Sequence, residues 1–137
     1  MFKKIVNFFV SIFAKPIPET KKIGNMGEDL ATKFLKQKGY KILKRNFRSK
    51  NNEIDIISQH QNVLVFVEVK TRTNTAKVSG YFSAVGKRKK IAVRTCAKDY
   101  IATLKRKPKT WRFDAVEVNY DPNNKAHPDI RHYENVY

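Results

Sequence analysis

Cysteine is almost absent from this sequence, with Cys96 the only one in 137 residues. A single cysteine cannot form an intramolecular disulfide, and it cannot supply the paired thiolates of a structural zinc site. None of the three histidines has a histidine partner four residues away, so a histidine-based metal site is not supported. The chain therefore suits a reducing compartment, and we expect a cytoplasmic location.

Long hydrophobic runs are also lacking. The apolar stretch at positions 5–14 is too short to span a bilayer as a helix, and no small-residue cleavage site follows it. Residues 2–14 can form an amphipathic helix with weak membrane contact, a helix docked on the domain, or a mobile tail. The prolines of "KPIPETKK" indicate a linker, so we expect an N-terminal segment at 1–22 and one domain at 23–137.

Acidic residues are scarce, with 12 Asp and Glu against 29 Lys and Arg, which gives a net charge of +17. Such an excess produces a positive field that concentrates polyanions around the protein. Nucleic acid is the leading candidate partner because phosphates bound by lysine and arginine release counterions. An anionic membrane surface is the second candidate.

Hydrophobic periodicity predicts an α/β domain with helices packed on a β-sheet. The first helix is expected at Asn25–Lys38, where Asn25 is a candidate N-cap, Glu28 completes a capping box, and Gly39 ends the helix. A strand meander followed by a crossover helix and a further strand predicts a mixed sheet. The strands are expected at 40–47, 53–58, 63–72 and 110–120, with an edge strand at 130–137, and the long helix at about 84–105.

Two strands place charged side chains where apolar residues would be expected. The segment "EIDIIS" carries Asp55, and "VLVFVEVKTR" carries Glu68 and Lys70. Pairing of the two strands puts Asp55 opposite either Phe66 or Glu68, and strict alternation then places all three groups on one face of the sheet. A β-bulge would break this argument.

Two carboxylates and a lysine in this arrangement suit metal-dependent hydrolysis of a phosphodiester. Close carboxylates repel each other unless a cation lies between them, and hard ions such as Mg²⁺ or Mn²⁺ prefer oxygen ligands. A bound ion makes its water more acidic, and Lys70 can orient that water or stabilise charge on the phosphate. A plain ion-pair cluster at a strand end explains the same residues equally well.

Several segments in the same order resemble the YraN-like family of bacterial proteins. These are "GNMGEDLATKFLKQKGYKILKRNFR", "EIDII", "LVFVEVKTR" and "RFDAVEV", which together cover about 24–118. That family is assigned to the PD-(D/E)xK, restriction-endonuclease-like superfamily, and the layout is also similar to archaeal Holliday junction resolvases. The resemblance implies a restriction-endonuclease-like fold with a central mixed sheet flanked by helices.

The resemblance also implies roles for individual residues. Asp55 and Glu68 would bind the metal ion with the carbonyl of Val69, and Lys70 would be the catalytic lysine. Glu28 would join the site directly or through water, which competes with its capping role. The chain departs from the family pattern at positions 83 and 86, where Ser83 and Gly86 replace acidic residues.

Basic residues close to these motifs are candidates for contact with a nucleic-acid backbone. They are Arg45, Arg48, Lys50, Lys87, Arg88, Lys89 and Arg94. We therefore expect a metal-dependent endonuclease acting on nucleic acid, with structured or branched DNA as the leading substrate. A basic nucleic-acid-binding protein without catalytic activity is the alternative. Proteins of this fold often act as dimers, so a homodimer is also considered.

Overall fold

The computed structural model describes residues 19–73, 86–121, 123–124 and 126–137. Within these ranges the chain forms two helices and five strands. The elements are α1 (Glu19–Gln37), β1 (Lys41–Ser49), β2 (Asn52–His60), β3 (Val63–Arg72), α2 (Lys87–Thr103), β4 (Thr110–Asn119) and β5 (Asp129–Tyr133). The predicted membrane contact through residues 2–14 lies outside the described residues, as does position 83.

All five strands belong to one mixed sheet in the order β1-β2-β3-β4-β5. β3 and β4 are parallel, whereas the other neighbouring pairs are antiparallel. A parallel pair needs a long crossover connection, and α2 lies in the connection between β3 and β4. The predicted meander and crossover are therefore confirmed, and the architecture is consistent with a restriction-endonuclease-like fold.

The sheet is covered on both faces, as the continuous apolar run of β3 predicts. On one face Val65 and Val67 pack in a cluster that includes Ala31 and Leu35 of α1. On the other face Leu64 and Phe66 pack with Val93, Cys96 and Ala97 of α2. The candidate site residues Glu68 and Lys70 are therefore carried by a central strand that is packed on both faces.

The tight turn between β2 and β3 sets the register of this hairpin. Gln61 and Asn62 connect the strands, and both have positive φ, of 48° and 64°. Two-residue turns of this kind match the twist of antiparallel strands. At the end away from the turn, the last pair of the ladder is Ile56 with Val67, and extending this register by one residue would place Asp55 opposite Glu68. This is the second of the two predicted registers.

The first helix begins earlier than predicted. α1 begins at Glu19, so residues 19–22 of the expected linker are helical and Asn25 lies inside the helix. The predicted capping box of Asn25 and Glu28 is therefore wrong. Weak helix formers such as Gly24 and Asn25 each cost only about 1 kcal/mol or less, which packing of the helix on the sheet can offset. The predicted end is confirmed, because Gly39 has a φ of 88° and follows the last turn.

None of the helices in the described ranges is both long enough and apolar enough to cross a membrane.

Close packing of α1 on β3 requires glycine at position 27. Gly27 is buried, and a Cβ atom built there would lie 1.7 Å from Oγ1 of Thr71. Only a residue without a side chain therefore lets this turn of α1 approach the strand. Because Glu28 is the next residue, the same close approach determines how near its carboxylate comes to the sheet.

We predict that Gly27→Ala destabilises the protein by about 1–3 kcal/mol, because the added methyl group forces α1 away from Thr71. Gly24→Ala is the matched control, since it lies in the same helix and has open space around it. The control should stabilise the helix by up to about 1 kcal/mol. Urea unfolding of both variants measures the difference, and equal stability of the two would contradict the packing argument.

Candidate metal and phosphodiester site

Asp55 lies where β2 departs from regular strand alternation. Ile54 packs in the cluster on the α2 face, whereas Ile56 packs in the cluster on the α1 face. In a regular strand these two residues would share one face. The strict alternation from which the sequence placed Asp55 on the face of Glu68 and Lys70 is therefore interrupted next to Asp55.

The irregularity directs the Asp55 side chain toward the main chain of β3. The backbone N–H of Val69 donates a hydrogen bond of 2.7 Å to Oδ2 of Asp55. A carboxylate thus satisfies a main-chain donor just beyond the last ladder pair, Ile56 with Val67. Asp55 is consequently fixed beside Glu68, the residue before its hydrogen-bond partner.

Asp55 and Glu68 line the same pocket. The pocket holds about 310 Å³ of empty space, part of which is open to solvent. Its lining residues are Glu53, Ile54, Asp55, Phe66, Val67, Glu68, Lys89, Val93, Phe113, Asp114 and Tyr137. The two acids predicted as metal ligands therefore line one pocket, together with apolar side chains such as Phe66 and with Lys89.

The environment of Asp55 disfavours its charged form. Burial raises the pKa of the Asp55 carboxyl to about 7, and nearby Glu28, Glu68 and Glu53 raise this pKa further, while the hydrogen bond from Val69 opposes the shift. Buried carboxylates close to other carboxylates are typical of functional sites that bind a cation. The local charge of this pocket is therefore negative in a protein that is strongly positive overall.

Glu68 is held at both carboxylate oxygens. Nζ of Lys89 lies 2.6 Å from Oε1, and the hydroxyl of Tyr137 donates a hydrogen bond of 2.8 Å to Oε2. Lys89 comes from the first turn of α2, and the Tyr137 ring packs 5.5 Å from the Phe113 ring. Sequence reasoning assigned Lys89 to nucleic acid and missed Tyr137, because no local pattern links position 137 to position 68.

Glu28 approaches the site from α1. Its side chain is mostly buried, and Nη2 of Arg45 lies 3.6 Å from its Oε2. Because Glu28 contributes to the raised pKa of Asp55, the two carboxyls are close enough to interact through space. Glu28 does not cap the helix, and its carboxylate lies next to Arg45 of the sheet. It is therefore a candidate to join the site through a water molecule.

Lys70 lies two residues beyond Glu68 on β3, opposite Glu117 of β4. Lys70 is partly buried, and it is not one of the described residues that line the pocket. Its neighbour Arg72 forms an ion pair of 3.0 Å with the buried carboxylate of Glu117. The structure therefore places Lys70 beside the pocket, while Lys89 is the lysine in contact with Glu68.

The predicted nucleic-acid contacts fall into two groups. The first group is exposed at the start of α2 and along it, and consists of Lys87, Arg88, Lys89 and Arg94. The second group lies on and after β1, where Arg45 pairs with Glu28 and Asp29, Arg48 pairs with Glu53, and Lys50 is exposed. The α2 group reaches the pocket through Lys89, which lines it, and the β1 group reaches it through Arg48, whose partner Glu53 lines it.

The donor set fits a hard divalent ion held by few protein ligands. In the part of the chain that the structure describes, no group of three His, Cys, Asp or Glu side chains is arranged to hold a metal. Mg²⁺ commonly binds through one or two carboxylates and keeps several waters. The pair Asp55 and Glu68, with the Val69 carbonyl from the resemblance, is compatible with that mode of binding.

Comparison with known proteins identifies one family. A model described as "Uncharacterised protein family UPF0102" matches residues 27–118. This range contains Glu28, Asp55, Glu68, Lys70 and Lys89, and it ends before Tyr137.

Individual proteins of that name are similar over most of their length. The UPF0102 protein of Caldanaerobacter subterraneus subsp. tengcongensis is 38% identical over 117 residues, which is 85% of this chain and 95% of that protein. The one from Caldicellulosiruptor saccharolyticus is 42% identical over 107 residues, 77% of this chain and 89% of its own. The one from Clostridium acetobutylicum is 39% identical over 118 residues, which is 85% of this chain and 94% of that protein.

We predict that Asp55→Asn stabilises the metal-free protein at high pH. The folded-state pKa of Asp55 is raised, so its ionisation removes stability as the pH rises from about 4 through about 7. Asparagine cannot ionise and can still accept the Val69 hydrogen bond. In EDTA the free energy of unfolding of the variant should exceed that of the parent by about 2 kcal/mol at pH 8 and by much less at pH 4.

Urea unfolding at the two pH values tests this prediction. Asp121→Asn is the control, because Asp121 is exposed and its side-chain oxygen accepts a main-chain N–H that asparagine can also satisfy. A stability difference for Asp55→Asn that is the same at pH 4 and pH 8 would contradict the prediction.

Proposed function

The chain belongs to the uncharacterised protein family UPF0102, the YraN-like family that its motifs resemble, and we propose that it is a metal-dependent endonuclease that hydrolyses nucleic-acid phosphodiesters. The observation that carries this proposal is that Asp55, Glu68 and Lys89 line one pocket together. A pair of carboxylates in a basic protein combines a cation site with a surface that attracts phosphates. The architecture of the sheet and helices, which is consistent with a restriction-endonuclease-like fold, also supports an endonuclease function.

Each residue has a distinct task in this proposal. Asp55 and Glu68 hold Mg²⁺ or Mn²⁺ with the carbonyl of Val69, and Glu28 orients a water molecule. When bound, such an ion supplies a more acidic water and stabilises negative charge on the phosphate. Lys70 orients the attacking water or stabilises the developing charge from the adjacent strand position.

The basic residues position the substrate. Lys87, Arg88 and Arg94 are exposed on α2 next to Lys89, which is in contact with Glu68. Contacts from such residues to phosphates fix the orientation of a nucleic acid but carry no sequence information. We therefore propose that the substrate is selected by its shape, with structured or branched DNA as the leading class. A cytoplasmic location and a homodimer remain part of this proposal.

A panel of DNA and RNA junctions, flaps, duplexes and single strands with Mg²⁺ or Mn²⁺ tests the activity. We predict cleavage of at least one structured substrate, lost in EDTA. Glu68→Gln and Lys70→Ala should each lower the rate by about a hundredfold or more, because each removes a group required for the chemical step. Lys33→Ala is the charge-matched control for Lys70→Ala, since Lys33 is exposed on α1. Equal cleavage by all variants would refute the assignment.

A nucleic-acid-binding protein without turnover is the second candidate. The net charge of +17 and the exposed basic residues of α2 favour it independently of the carboxylates. This candidate requires binding that weakens with salt and yields no product with either ion.

For either candidate we predict that Arg94→Ala weakens binding at all sequences and lowers the slope of log affinity against log salt by about 1. The reason is that one phosphate contact, with its released counterion, is lost. Fluorescence anisotropy over a salt series measures the slope, with Lys33→Ala as the matched control. An unchanged slope for Arg94→Ala would remove α2 from the nucleic-acid interface.

A further inference from the structure

We infer that Lys89 holds the cation position at Glu68 in the metal-free protein, and that a divalent ion displaces it so that it becomes available to bind a substrate phosphate. This inference rests on the proposed function, because it requires a cation at Glu68. It assigns to Lys89 a coupling role between metal and substrate, which neither the strand motifs nor the family resemblance contains.

The contact between Lys89 and Glu68 is the first observation. The ammonium nitrogen lies 2.6 Å from Oε1, and only 13% of the Glu68 side chain is exposed. A carboxylate this buried requires a positive partner or strong hydrogen bonds. Lys89 therefore supplies this positive partner for Glu68.

The two cations would compete for the same carboxylate. A divalent ion held by Glu68 would keep several of its own waters, and these would crowd the ammonium group that lies against Oε1. The side chain of Lys89 is 53% exposed, so water can hydrate the ammonium group once it leaves. Exchange of the two cations therefore requires the Lys89 side chain to rotate away from Glu68.

Tyr137 keeps Glu68 in place during this exchange. Its hydroxyl donates a hydrogen bond to Oε2 of Glu68, and its ring packs on Phe113. The segment that carries Tyr137 is itself fixed, because Val136 donates its N–H to the carbonyl of Phe113 and Asn135 donates its N–H to Asp114. Glu68 therefore retains one fixed hydrogen bond when its lysine partner is replaced.

The neighbours of Lys89 explain why the displaced side chain would bind phosphate. The first turn of α2 has no acidic residue, and Lys87–Lys90 is an uninterrupted basic run at the start of the helix. Positive side chains are unfavourable at a helix N-terminus, where the macrodipole favours anions. Once Lys89 is separated from Glu68, a bound phosphate group would offset the repulsion within the basic run. It would also place the negative charge that the helix N-terminus favours.

Binding of Mn²⁺ alone to the full chain, measured by calorimetry, tests the inference without any activity assay. Lys89→Gln should bind Mn²⁺ about threefold to fivefold more tightly than Arg88→Gln, because it removes the competing cation from Glu68. Arg88→Gln is the matched control, since it removes one positive charge from the adjacent, exposed position. Lys89→Arg, which retains the charge, should bind like the parent.

The unmodified protein provides a second readout that does not depend on a variant folding. Partial acetylation followed by mass spectrometry should show Lys89 reacting about threefold faster with saturating Mn²⁺ than with EDTA, because the ammonium group is released from Glu68. Lys98, exposed farther along α2, is the internal control and should not change.

The outcomes separate this inference from the proposed function. If the parent protein binds Mn²⁺ but Lys89→Gln and Arg88→Gln have equal affinities, or Lys89 reactivity does not change with Mn²⁺, the exchange is overturned and the metal site stands. If neither the parent nor any variant binds Mn²⁺, both the exchange and the metal-dependent function are overturned.

Discussion

The hydrogen bond from the Val69 N–H to the Asp55 carboxylate determines the geometry of the candidate site. It forms just beyond the point where the paired ladder of β2 and β3 ends, at Ile56 and Val67, and it replaces a main-chain contact with a side-chain contact. An acidic side chain is thereby held inside a strongly packed sheet, next to Glu68. A neutral residue without an acceptor at position 55 would leave the Val69 N–H without this partner, which is costly in a partly buried location.

This arrangement concentrates negative charge in a protein whose net charge is strongly positive. Burial and neighbouring carboxyls raise the pKa of Asp55 to about 7, while Glu68 is neutralised by Lys89. A divalent cation would relieve the repulsion at both acids, and the released lysine would add to the basic surface of α2. Under the proposed function, the cost of burying these carboxylates would be offset when a cation binds.

Sequence reasoning recovered the sheet because its signals are local. The apolar run of β3 indicates a central strand, and the short turn limits Asp55 to two registers. The helix start at Asn25 was wrong because one weak helix former does not stop a helix that packs on a sheet. Trp111 is two residues before the buried Phe113 on β4 but is 46% exposed, since alternation gives the face of a strand and not how far α2 covers it. The Tyr137 contact with Glu68 spans 69 residues and has no local signal.

The central claim is that Asp55 and Glu68 together hold a divalent cation, and paramagnetic broadening by Mn²⁺ tests it most directly. In an amide NMR spectrum of the full chain, substoichiometric Mn²⁺ should first broaden the signals of residues 54–56 and 67–70, and Glu68→Gln should abolish this selectivity. Broadening that begins instead at exposed acids such as Asp121 and Asp129, or that is unchanged in Glu68→Gln, would contradict the account.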